Sequence, residues 1–250
     1  MLPNLFGDKP DDLSIDILRT FEPPEGYWLS FSGGKDSIVL YDLALRSGVK
    51  FNAHYNNTTI DHPELRRFIR EHYPEVQFHR PPRSFYQLIP LKGFPTRKNR
   101  WCCAELKERG GKGRMVVTGV RADESSARKK YSYVSKCYRA PSTTLIRPML
   151  HWKNAHIWQY IREHNMPYCS LYDEGWSRIG CVCCPFETRR LAMIERWPKI
   201  VNAIRHAFIR AYPLRASWQE RWPDGNAVFD WWMNASLSYP SDDDEPLQLE

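Results

Sequence analysis

An apolar, strand-like run, Tyr27-Trp28-Leu29-Ser30-Phe31, passes directly into Ser32-Gly33-Gly34-Lys35-Asp36-Ser37 and then into Ile38, Tyr41 and Leu45 at helical spacing. A glycine pair between a strand and a helix commits the chain to a tight turn whose amides point outward. Two glycines let the backbone approach an anion closely, the turn and the helix N-terminus aim partial positive charge at it, and Lys35 adds a full charge. The spacing is not the Gly-x-x-x-x-Gly-Lys-Ser/Thr of a Walker A loop. Ser32, Gly33, Gly34, Lys35, Asp36 and Ser37 are expected to cradle nucleotide phosphate.

Beyond the loop, strands and helices alternate. Gly48 is the expected stop of the first helix after the loop, and Phe51 to Tyr55 reads as the second strand. Pro63 opens the next helix behind Asp61 or His62 as cap, with Leu65, Phe68, Ile69 and Tyr73 on its buried face. Val76 to His79 and Arg114 to Thr118 read as the third and fourth strands. Leu145 to Leu150 reads as a last strand leading into a helix from Asn154 to His164. The pattern predicts an α/β fold with a doubly wound, mostly parallel five-stranded sheet. Ligands then lie beyond the carboxyl ends of the strands, at Ser32, Asn56 to Thr58 and Gly119 to Arg121. Helices over 188–197 and 198–212, broken at Pro198, and a Trp-rich remainder predict a helical cap. The expected organisation is an N-terminal arm (1–25), a nucleotide-binding domain with the cysteines (26–185), a C-terminal helical region (186–240) and a disordered acidic tail (241–250).

The chain has 250 residues, 42% hydrophobic and 26% charged, which suits one substantial core with an appendage. No apolar run has the length of a membrane span, and Met1 to Asp8 lacks the basic start and apolar core of a signal peptide. The expectation is a cytoplasmic protein with no membrane partner. The net charge of +7 includes five carboxylates at Asp242, Asp243, Asp244, Glu245 and Glu250, so the rest of the chain carries +12. Between Arg80 and Arg114, ten basic residues face only Glu105 and Glu108. That stretch is where a nucleic acid is expected to lie.

Two further groups of residues carry chemistry. After the fourth strand, Gly119 and Arg121 are followed by Glu124, Ser125 and Arg128, a glycine turn with two arginines suited to phosphate or sulfate oxygens. Cys102-Cys103 and Cys181-x-x-Cys184 are two thiol pairs within a total of seven cysteines, an odd count that does not suit a disulfide framework. Four such thiolates can hold an iron–sulfur cluster or a structural zinc, and the adjacent pair departs from a zinc ribbon. Cys183 is an extra thiol, whereas Cys137 and Cys169 read as inert core cysteines. Trp101, Trp152, Trp158 and Trp176 suit packing as well as shielding of a cluster. His54, His62, His79, His151 and His156 show no ligand spacing and read as structural.

These motifs occur in a definite order from Tyr27 to Phe186: Ser32 to Ser37, Arg97-Lys98-x-x-x-Cys102-Cys103, Gly119-x-Arg121-x-x-Glu124-Ser125-x-x-Arg128, and Arg178-Ile179-Gly180-Cys181-x-x-Cys184-Pro185. In that order they resemble the phosphoadenylyl-sulfate (PAPS) reductase family of the PP-loop ATP pyrophosphatases, whose fold is adenine nucleotide α-hydrolase-like. The resemblance implies a [4Fe-4S] cluster on Cys102, Cys103, Cys181 and Cys184. It implies nucleotide contacts from Ser32 to Ser37, Gly119, Arg121, Glu124, Ser125 and Arg128.

Two departures bear on the reaction. Family reductases use a cysteine in a C-terminal segment, and no cysteine follows Cys184 here; where they carry Asp-Thr-Gly, this chain reads Asn56-Asn57-Thr58-Thr59. The chain is closer in logic to the ATP pyrophosphatase subunits of DNA phosphorothioation systems (Dnd or Ssp type). That branch implies Mg²⁺-ATP on the loop, Lys35 and Arg121 stabilising phosphate charge, Asp36 helping to hold Mg²⁺, DNA as acceptor and a cysteine desulfurase as sulfur donor. A homo-oligomer is compatible with it. The alternatives are an adenylyl-sulfate or PAPS reductase releasing sulfite, and a non-catalytic nucleic-acid-binding module with structural zinc.

Overall fold

In the computed structural model, which describes residues 10–235, the stretch before the phosphate loop forms helix α1 (Pro10–Thr20) and strand β1 (Tyr27–Ser30). The acidic tail over 241–250 lies outside the described residues. Contacts divide the described chain into two units, each built from separate stretches of sequence. One comprises 10–56, Pro63–His79 and Arg109–Ile179; the other comprises Asn57–His62, Arg80–Glu108 and 180–235. The expected boundary at 185 is therefore not where the chain divides: all four paired cysteines lie in the second unit and the phosphate loop in the first.

The first unit is the sheet. Helix α2 (Lys35–Ser47) leads to β2 (Phe51–Asn56), α3 (Pro63–His72) and β3 (Gln77–His79). Then come β4 (Met115–Val117), β5 (Val134–Lys136), β6 (Thr144–Ile146) and α5 (Asn154–Glu163). The strand order is β3-β2-β1-β4-β6-β5, parallel except for β5, which runs antiparallel to β6. The sheet thus has six strands rather than the expected five. The extra one is three residues long inside a polar, basic stretch, too short to show alternation.

Alternation in β1 buries Tyr27 and Leu29 and leaves Trp28 and Ser30 partly exposed. The Tyr27 hydroxyl donates to the Leu18 carbonyl at 2.9 Å, fastening α1 to the sheet. Helix α2 ends as its glycine predicts: Gly48 takes φ +73° and its N–H donates to the Leu45 carbonyl. Leu18, Leu29, Ile38, Leu40 and Leu43 form the fully buried centre.

The second unit is helical. Helix α4 (Phe85–Lys92) packs on α7 (Pro198–Ala211), which packs on α9 (Gly225–Ala235), with the short α6 (Ala192–Arg196) and α8 (Ala216–Gln219) between them in sequence. Proline at the first position of α7 separates it from α6, as expected. Helix α4 was not foreseen, although Ser84 and Gln87 form a reciprocal capping box at its start. Phe94 stacks on Trp218 and meets Trp231, which accounts for the Trp-rich remainder as core. No helix among the described residues is long and apolar enough to cross a membrane.

Candidate phosphate loop and thiol cluster

At the carboxyl end of β1 the chain turns through Gly33, whose φ of +72° is the left-handed region. A Cβ there would lie 2.7 Å from the side chains of Ile69 and Leu65, so glycine is required twice over. The turn is locked from inside: the Ser32 N–H donates to Ser37 Oγ at 3.1 Å, and the Ser37 hydroxyl donates to the Gly34 carbonyl at 2.9 Å. Ser37 is thereby buried as a brace and not aimed outward. Gly34 is the residue before α2, and no side chain caps that helix. The first amide of α2, Lys35 N–H, donates instead to the Tyr172 hydroxyl at 3.0 Å. Burial pushes the Tyr172 phenol up, opposed by the Lys35 amide and reinforced by Asp36.

A charged chain runs from the loop to the turn after β4. Lys35 Nζ is 3.1 Å from Asp36 Oδ2, and Asp36 Oδ1 accepts from Arg121 Nε at 2.6 Å. Arg121 is 3% exposed and also donates to the Trp152 carbonyl at 3.1 Å. Its guanidinium thus faces Asp36, Asp123 at 3.5 Å and backbone, a position from which it orients Asp36 beside the loop. Gly119 sits where a Cβ would come 3.0 Å from the Asp36 carbonyl, so the turn needs glycine to pass the first turn of α2. Glu124 accepts from the Arg121 N–H at 3.3 Å and pairs with Arg128, and Ser125 Oγ accepts from the Arg128 N–H at 3.4 Å. Gly119, Arg121, Glu124, Ser125 and Arg128 therefore form one connected turn, joined to the loop through Asp36. Sequence reasoning missed Tyr172, which stands far along the chain and belongs to no motif, and read Trp152 only as a packing or cluster-shielding ring.

In the second unit, Cys103 opens a π-helical turn, Cys103–Lys107, immediately after Cys102. The Cys102 thiol donates to Cys103 and is itself pushed up by that bond, by burial and by Cys103, Cys181 and Cys184. The same bond, with Lys107 and Arg100 added, holds Cys103 low against its burial. Arg100 Nη2 lies 3.5 Å from Cys103 Sγ. Cys181 is brought in by the backbone: it bridges to Asp61, and the Val182 N–H donates to the Ile60 carbonyl at 2.8 Å. The Cys181 thiol reaches Thr58 Oγ1 at 3.4 Å, and Thr58 is tied to Asp61 through its hydroxyl at 2.6 Å and its N–H at 2.8 Å. The Lys107 ammonium is held charged chiefly by Cys181, with Asp61, Cys184 and Cys103 adding to it against burial.

The turn between Cys181 and Cys184 is strained at Cys183, whose φ is +60°. Its N–H donates to the Met193 sulfur at 3.0 Å, and its carbonyl accepts from the fully buried Arg190 at 3.1 Å. Cys183 is 1% exposed and its thiol is pushed up to about 12, mainly by burial. It is a packing residue that holds the turn open for its neighbours.

As they stand, no three His, Cys, Asp or Glu side chains among the described residues are drawn together closely enough to hold a metal ion. The donor chemistry nevertheless fits a sulfur-ligated, anionic group: Cys102, Cys103, Cys181 and Cys184 lie within each other's field, and Lys107 and Arg100 offset thiolate charge. Cys169 is fully buried in the first unit and Cys137 is half-buried there, both apart from this group.

Trp101 stacks on Phe85 in the second unit, while Trp152 packs edge-on to Tyr160 in the first. His54 and His79 share a 2.9 Å ring contact under Trp28, and His62 stacks on Trp197.

The phosphoadenosine phosphosulfate reductase domain model matches residues 26–187. An adenosine 5'-phosphosulfate reductase of Pseudomonas aeruginosa is 32% identical over 203 residues, covering 73% of this chain and 76% of its own. An uncharacterised protein of Methanocaldococcus jannaschii is 30% identical over 185 residues; the chain spans 45% of that relative and 43% of a second one from the same organism. Among solved structures, a Candida auris PAPS reductase in a phosphate complex aligns at TM-score 0.52 with 20% identity, covering 71% of this chain and 90% of its own. A Candida glabrata FMN adenylyltransferase in complex with ATP aligns at 0.50 and 20%, covering 69% and 60%. At those identities the structures speak to the fold, which they share.

Proposed function

Because the chain belongs to the phosphoadenosine phosphosulfate reductase family, we propose that it is an ATP pyrophosphatase that adenylates an acceptor, a DNA backbone phosphate, for sulfur transfer. The observation that carries the reading is the loop at Ser32 to Ser37, where a positive-φ glycine, a helix start whose first amide meets the Tyr172 hydroxyl and the Lys35–Asp36 pair stand together. The turn's amides and Lys35 bind the polyphosphate, and Asp36, oriented by Arg121, lies where a carboxylate can share Mg²⁺ brought in with the triphosphate. An oxygen of the acceptor attacks the α-phosphorus, the bond to the β-phosphate oxygen breaks, and pyrophosphate leaves. Lys35 offsets the charge that develops on the leaving group. This chemistry needs positioning and fixed charge rather than a covalent intermediate.

Cys102, Cys103, Cys181 and Cys184 would hold the [4Fe-4S] cluster, with Lys107 and Arg100 as charge partners. A cluster held there would supply sulfide-level sulfur as the nucleophile, with AMP as the leaving group. A cysteine desulfurase would deliver this sulfur at the persulfide level, and two electrons from an external low-potential reductant would bring it to sulfide.

The test is pyrophosphate and AMP formation from Mg²⁺-ATP by anaerobically purified protein, with and without DNA. We expect DNA-stimulated release that Lys35→Ala reduces at least about a hundredfold, the scale of one lost charge-stabilising group. Release at an unchanged rate in that variant overturns the role of the loop.

Adenylyl-sulfate reduction is a second reading, favoured by the adenosine 5'-phosphosulfate reductases among the relatives. Against it, Cys183 is buried and cannot serve as an external nucleophile without opening the turn. Thioredoxin-dependent sulfite release from adenylyl sulfate, with no pyrophosphate from ATP, decides for this alternative.

A further inference from the structure

From Ser125 to Arg162 the chain contains no Asp or Glu and eight Lys or Arg, and this stretch holds the unforeseen β5–β6 hairpin. We propose that this hairpin is a single-strand nucleic-acid-binding arm, with Lys129, Lys130, Lys136 and Arg139 meeting phosphates and Tyr138 stacking on an unpaired base. The proposal deepens the nucleic-acid reading above by assigning the surface, and it moves that surface away from the Arg80–Arg114 stretch.

Topology sets the layout. Because β5 runs antiparallel to the other strands, the turn before it, Ser126–Lys130, lies at the carboxyl edge of the sheet, the edge that carries the phosphate loop. The turn after it, with Tyr138 and Arg139, lies at the opposite edge. Three residues of β5 join the two over about 10 Å. Lys129, Lys130, Lys136 and Arg139 are exposed along that border, and Tyr138 is 97% exposed, the largest exposure of any large apolar side chain described. A bare aromatic ring among lysines is the pairing that single-strand binding uses, because a stacked base tolerates any sequence while the charges follow the backbone.

The arm is braced from beneath. Arg147 is 5% exposed, donates to the Ser132 carbonyl at 2.9 Å and to Ser135 Oγ at 3.0 Å, and lies 4.7 Å from the Tyr131 ring centre. Lys136 Nζ reaches Thr144 Oγ1 at 3.0 Å across the hairpin. In the Arg80–Arg114 stretch, many charges are engaged within their own unit. Lys92 pairs with Glu105, Arg97 donates to the Pro185 carbonyl, Arg100 meets Cys103 and Phe186, Lys107 faces the thiols and Arg114 donates to the Gly26 carbonyl.

The experiment is fluorescence anisotropy of the full chain with a labelled oligothymidylate and with a duplex of mixed sequence, over a salt series. We expect the single strand to bind more tightly, and Tyr138→Ala to weaken it about tenfold. Lys129→Ala/Lys130→Ala should weaken it further and reduce the salt slope by about 1.4, for two phosphates lost. Arg83→Ala/Lys98→Ala should stay within about twofold of the parent. Unchanged binding in both hairpin variants, loss confined to Arg83→Ala/Lys98→Ala, or equal binding to anionic lipid vesicles overturns the proposal. All residues changed here are exposed, and circular dichroism of each variant separates misfolding from lost contact. Pyrophosphate release measured without nucleic acid in the same variants separates the two claims. Loss of strand binding with that release intact supports the arm, whereas absence of release in the parent both without and with DNA refutes the adenylation reading and leaves the binding result standing.

Discussion

The Lys35 amide, the first free donor of helix α2, is bound by the Tyr172 hydroxyl at 3.0 Å. A ring from a 3-10 turn at Ser170–Tyr172 thereby occupies the direction from which a phosphate oxygen would approach the helix start. The Lys35 ammonium lies 6.0 Å from the same ring centre, so one residue meets both the partial and the full charge of the loop.

A phosphate that reaches this amide must displace the phenol. Tyr172→Phe removes the competing acceptor and keeps the ring, so ATP affinity should rise by two- to tenfold, the worth of one neutral hydrogen bond of about 0.5–1.5 kcal/mol. Titration calorimetry of the two proteins with a non-hydrolysable ATP analogue measures it. Weaker binding in the variant would mean that the hydroxyl contacts the nucleotide instead of competing with it.

Arg121 holds Asp36 from a position that is 3% exposed, with Asp36 at 20%. Arg121→Ala leaves Asp36 with Lys35 as its remaining cation and frees the Trp152 carbonyl, so unfolding stability should fall by about 1–3 kcal/mol. Arg121→Lys should recover part of this, since it restores charge without the fork. Urea denaturation of the three proteins reads the order; a loss under about 1 kcal/mol for alanine would show that the pair is solvated in solution.

The loop, the helix stop at Gly48 and the strand alternation were readable because each follows from a local rule: glycine where φ is positive, apolar residues at the period of the element. The β5 strand was not readable, because its three residues are stabilised by pairing with Thr144–Ile146 and not by their own pattern. The same holds for the sites. Ser32 to Ser37 announce themselves as a contiguous turn, whereas Tyr172, Trp152, Thr58 and Lys107 act through contacts that only the fold creates. Arg121 shows the same division: sequence places it in the turn after the fourth strand, while burial and Asp36 fix where its charge points.

His54 lies under Trp28, with ring centres 3.3 Å apart, and its pKa is lowered to about 4 by burial first, then by His79 and Arg114. In the unfolded chain the same imidazole takes a proton near pH 6.5. Between about pH 6.5 and pH 4 the unfolded state therefore binds more protons, and stability contributed by neutral His54 is complete above that window and lost as pH falls through it. His54→Phe keeps a stacked ring without titrating. Its urea midpoint should drop less than the parent's between pH 7 and pH 5; equal drops would show that His54 stays protonatable in the folded protein.

Cys103 is held low by Cys102, Lys107 and Arg100, while the half-buried Cys137 belongs to the other unit. If the four paired cysteines are the ligands, Cys103→Ser should remove most iron and acid-labile sulfide from anaerobically purified protein, and Cys137→Ser should leave both near four per chain, the content of one [4Fe-4S] cluster. The visible absorbance of the cluster should vanish in the first variant and persist in the second. A parent that carries zinc and no sulfide would instead assign the same thiols to a structural ion, and its unfolding by chelators would then follow. Loss of iron in Cys137→Ser as well would place a ligand outside the thiol group that Lys107 and Arg100 face.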